Sequence, residues 1–161
     1  MSNDVEVAFP VFLKQIDKTF VELIVNYFLC NDCNYNVTYT GNYRGIKTPL
    51  NTDSQTEKQL KSKSKPSINK AIVALGSEGG GSISLGRKHD SLMYPFRLSI
   101  TQDKGAPAYI VLILRANIAF DNRQISHDMK HLASELALFL KKSKYEVGYV
   151  RASFGDGDLF K

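Results

Sequence analysis

The chain has 161 residues, 43% of them hydrophobic and 23% charged, with a net charge of +5. This composition excludes a disordered polymer, and the length predicts a single domain over 1–161. No apolar run approaches the roughly 20 residues that span a bilayer, and the polar, acidic opening Met1 to Glu6 lacks the basic-then-apolar pattern of a secretion signal. We therefore expect a cytoplasmic protein with no membrane association. Two cysteines do not make a disulfide framework, which agrees with a reducing compartment.

The charge is unevenly spread. Of 21 basic and 16 acidic residues, seven basic and two acidic lie between Arg44 and Lys70, leaving fourteen of each elsewhere. The positive field belongs to one segment.

In chain order, Val5 to Phe9 alternates briefly, as a short strand or the lead into a helix. From Pro10 to Cys30 the periodicity predicts a helix with proline in its first turn. Its apolar arc is Phe12, Leu13, Ile16, Phe20, Leu23, Ile24, Tyr27 and Phe28. Tyr35 to Thr40 alternates as a half-buried strand does. Residues 41–67 are polar and lysine-rich, too poor in apolar side chains to offset their ordering entropy, and predict a mobile basic loop. Ile68 to Leu75 and Ser82 to Leu85 read as two strands of a hairpin joined by the glycines of Gly76 to Gly81. Leu92 to Thr101 is a further strand, in which Pro95 suggests a bulge or an edge.

Tyr109 opens the run Tyr-Ile-Val-Leu-Ile-Leu, continuously apolar, which predicts a central strand covered on both faces. After it, Ile125, Met129, Leu132, Leu136 and Phe139 recur at spacings of 4, 3, 4 and 3, the signature of an amphipathic helix from residue 121 or 122 to about Lys142. Tyr145 to Ser153 is a last strand, expected to run parallel to the central one through a right-handed crossover. The sum is an α+β fold: a single, mainly antiparallel sheet of about five to six strands with two amphipathic helices packed on it.

No motif in this order carries chemistry. The glycines of 76–86 lack the lysine and helix of a phosphate-binding loop, and Glu78 would repel phosphate. His89 and Asp90 have no third group to orient an acid-base pair. Cys30 and Cys33 form a C-x-x-C pair, but at a helix C-terminus, where the dipole disfavours a thiolate. His127 and His131 stand one helical turn apart and, with the cysteines, make a weak candidate zinc set; with Asp128 they mimic a metalloprotease helix, though on its wet face. Leu138 breaks the polar face beside His127 and could anchor a partner.

The expected function is thus non-catalytic and cofactor-free: a cytosolic protein-binding module, of immunity or inhibitor type, that meets the acidic face of another protein. Its contact residues would be Arg44, Lys47, Lys58, Lys61, Lys63 and Lys65, with Arg87 and Lys88 of the adjacent Gly76 to Lys88 hairpin. One alternative is nucleic-acid binding by the same lysines, weakened by the lack of interleaved aromatics for base stacking. A second is a zinc-dependent hydrolase built on the two histidines.

Overall fold

The computed structural model describes residues 4–35, 46–47, 75–76, 79–89, 92–115 and 123–154. In order they form β1 (Val5–Val11), α1 (Lys18–Leu29), β2 (Cys33–Tyr35), β3 (Ile46–Lys47), β4 (Gly81–His89), β5 (Leu92–Gln102), β6 (Ala108–Leu114), α2 (Arg123–Lys142) and β7 (Arg151–Phe154). The strands make one sheet in the order β2-β4-β5-β6-β1-β7, with β3 also on β4, and every pairing between neighbours is antiparallel. Five strands have four or more residues; β2 and β3 are short pieces along the β4 edge. The α+β expectation holds. Because β1 is antiparallel to both β6 and β7, the last strand runs parallel to β6, as expected, with β1 between them.

Alternation decides which face is buried. Val5, Val7, Phe9 and Val11 of β1 point the same way as Ala108, Ile110, Leu112 and Leu114 of β6 and Tyr94, Phe96, Leu98 and Ile100 of β5, and all are buried. Both helices lie on this face, side by side and antiparallel: Phe20 of α1 meets Tyr145 just after α2, and Tyr27 of α1 meets Phe139 of α2. Phe28 reaches down to Phe96 of the sheet. The opposite face is not sealed. On β6, Tyr109 is exposed and Val111 and Ile113 are half-buried, so the continuous apolar run is covered fully on one side only.

The first helix begins later than its periodicity suggests. Lys18, not Pro10, opens it, because Asp17 accepts the Phe20 N–H on Oδ1 at 2.8 Å and so caps the first turn. Pro10 instead lies in β1. Between the pairs Ala8↔Arg151 and Val11↔Val147, β1 spends two residues while the other strand spends three, which makes a bulge around Tyr149. Pro10 accepts the Gly148 N–H on its carbonyl at 2.9 Å, and its missing donor falls where the ladder is already broken. A Cβ on Gly148 would lie 2.5 Å from the Pro10 ring, so glycine is needed there for the close approach. The segment between β1 and α1 is held from β5: the Gln102 side chain accepts the Ile16 N–H at 3.0 Å and donates to the Leu13 carbonyl at 2.9 Å.

Of the expected strand Ile68 to Leu75, residues 68–74 fall outside the described residues, and Leu75 with Gly76 takes helical backbone. The hairpin is β4 with β5, closed at His89↔Leu92. Pro95 pairs with Gly86 of β4 and sits where β5 extends beyond β6, whose pairing with it starts at Arg97↔Ile113, so one side of the strand has no ladder there to disrupt. Of the basic loop, Ile46 and Lys47 form β3 against Ile83 and Ser82; the rest of 41–67 falls outside the described residues, as do residues 36–40 of the expected strand.

Candidate functional site

Of the residues singled out in the sequence, Arg44, Lys58, Lys61, Lys63 and Lys65 fall outside the described residues, and the others stand in separate places. Arg87 is the first. It is on the inward face of β4, 6% exposed, and its Nε and Nη2 donate to the two oxygens of Asp128 on α2 at 2.9 and 3.1 Å. Tyr94 O–H donates to the same carboxylate at 2.6 Å, and Arg87 Nη1 donates to the Asn31 carbonyl at the end of α1. Arg87 is therefore not part of a basic surface: its charge is spent inside. Burial works against the guanidinium charge, but the hydrogen bonds and charge of Asp128 outweigh it and raise the arginine's pKa. The Tyr94 phenol is pushed up by burial and then by Asp128. Two helices and the sheet are thereby tied at one point, with fork-to-fork geometry that only arginine supplies. Lys88, the next residue, alternates outward and is exposed.

The cysteines separate in the same way. Cys30 is the C-cap of α1 and exposed; Cys33 is buried in β2, its thiol donating to the Asn31 carbonyl at 3.6 Å. Burial pushes the Cys33 thiol up to about 12, against the lowering effect of Arg87. A thiol so placed is not a nucleophile at neutral pH. His127 and His131 are exposed on α2. Among the described residues, no three His, Cys, Asp or Glu side chains are grouped so as to hold a metal ion. The zinc reading thus finds no assembled ligand set there.

A direct consequence is a difference in thiol reactivity. At pH 8 the folded protein should react with a thiol reagent at Cys30 alone, giving one equivalent quickly and a second only in denaturant, which a colorimetric thiol titration measures. Tyr27, raised to about 12 by burial and by Glu135, adds to the alkaline behaviour. Both groups ionise more readily in the unfolded chain, so their contribution to stability is full below about pH 9 and declines from there to about pH 12. Urea midpoints should fall across that window, and Cys33→Ser should flatten its lower part.

Apart from these residues lies a groove that sequence reasoning missed. It has a volume of about 450 Å³ and runs along α1 between Thr19 and Asn31, with Leu23, Tyr27 and Phe139 as its apolar floor. The Tyr27 and Phe139 rings are 5.1 Å apart and inclined at 35°. Glu22 and Cys30 line it, and Glu135 of α2 is near enough to raise the Tyr27 phenol. The volume is within the range of about 300–1,000 Å³ typical of ligand sites. The signal was present in the spacing of Thr19, Leu23, Tyr27 and Cys30 on one helix flank, but a second helix beside it was needed to turn a flank into a groove.

No protein-family model, curated protein or solved structure matches the chain. No helix among the described residues is long and apolar enough to cross a membrane.

Proposed function

We propose that the protein is a non-catalytic binding module of the cytoplasm, whose lysine-rich stretch 44–70 meets the acidic face of another protein, in the manner of an inhibitor or an immunity protein. The observation that supports this most is where the polar groups are used. Arg87, Asp128 and Tyr94 are satisfied by one another, whereas a catalytic site needs such groups turned toward a substrate. The excess positive charge, by contrast, is concentrated in one stretch of the sequence, Arg44 to Lys70, and such a local positive field favours an acidic partner.

The test is charge reversal of Lys58, Lys61, Lys63 and Lys65 to glutamate together. Capture from native-host lysate by the parent protein should yield an acidic protein, and the reversed variant should lose it while its thermal midpoint moves little. Capture of nucleic acid instead, with affinity falling steeply as salt rises, would replace this reading with the nucleic-acid one. An unchanged partner on the reversed variant would refute both.

A further inference from the structure

The groove of α1 and α2 differs in sign from the lysine-rich stretch, and we infer that it is a separate docking site for a basic amphipathic helix of a partner protein. Shape is the first argument. From Thr19 to Cys30 the α1 flank is about three turns long, roughly 17 Å, which matches a helix of similar length laid in the crevice. The floor of Leu23, Tyr27 and Phe139 offers apolar and aromatic surface at helical spacing.

Charge selects the occupant. Glu22 stands on the α1 wall and Glu135 beside Tyr27 on the α2 side, so carboxylates flank the apolar floor. Lysines or arginines on either side of a ligand's apolar stripe would meet them. Because the whole molecule carries +5, general electrostatics repel a basic peptide. Retention of one must come from this local arrangement.

Cys30 lines the groove and, with Cys33 buried, serves as a reporter. The probe is a synthetic peptide of about four helical turns, with leucine at helical spacing and flanking lysines. It is compared with the same peptide carrying glutamate for lysine and with a scrambled order. The lysine helix should slow alkylation of Cys30 by iodoacetamide about fivefold or more at saturation. The glutamate and scrambled peptides should leave the rate unchanged. Glu22→Lys with Glu135→Lys, both at exposed positions, should weaken binding of the lysine helix about tenfold by anisotropy. The inference fails if the lysine helix gives no protection, if either control protects equally, or if the double reversal leaves affinity intact. Reversal of the four lysines of 58–65 should not affect this binding, which keeps the two surfaces distinguishable.

Discussion

Asp128→Ala should cost about 3–5 kcal/mol of folding stability at neutral pH, read as a shift of the urea midpoint at constant slope. The reason lies in the partner left behind. Arg87 cannot shed its proton, and in the variant it would keep a buried charge with no carboxylate among the described hydrogen bonds to receive it, the Asn31 carbonyl remaining. Arg87→Met should be milder, because the Asp128 carboxyl that remains can take up a proton and still accept from Tyr94. Replacing both, as Arg87→Met with Asp128→Leu, should recover most of the loss. A double variant as unstable as the sum of the two single ones would show that the ion pair is not an energetic unit.

The second large effect is expected at a glycine. Gly80 has φ of +110°, and a Cβ there would lie 2.1 Å from the Ile100 carbonyl oxygen, a backbone atom that cannot step aside. Gly80→Ala should therefore destabilise by at least about 3 kcal/mol, combining backbone strain with overlap. Its neighbour provides the control. Gly79 also has positive φ, +75°, but open space around it, so Gly79→Ala should cost only about 1–2 kcal/mol. Thermal unfolding of the pair separates conformational strain from steric overlap.

Local patterns in the sequence reported what local physics controls. The 4-3-4-3 spacing of Ile125 to Phe139 found α2, and the β-branched run after Tyr109 found the middle of the sheet, because burial on one side imposes its own period on the residues. The same reasoning misplaced the start of α1. Phe12, Leu13 and Ile16 mimic helical spacing, yet Phe12 is exposed and the helix waits for the cap at Asp17. The coverage of β6 was misread as well: a strand with half-buried Val111 and Ile113 looks, in sequence, like one sealed on both faces.

What stayed hidden was set by distance along the chain. Arg87 and Asp128 are 41 positions apart, and nothing near either residue announces the other. Arg87 reads as one more cation beside Lys88, although strand alternation sends one inward and the other out. The groove needs two helices that meet only after the intervening sheet has been laid down, so neither Tyr27 nor Phe139 alone reveals it.

The position of β1 bears on how the protein is made. Its partners on one side are Ala108 to Leu114 and on the other Arg151 to Phe154, so Val5 waits for Leu114, over a hundred residues later, and then for Phe154. At ribosomal speeds of about 5–20 residues per second, a sticky valine-rich ribbon stays uncovered for roughly 5–30 seconds. Such non-local closure slows maturation and leaves the ribbon open to wrong pairing until the residues up to Phe154 have been made.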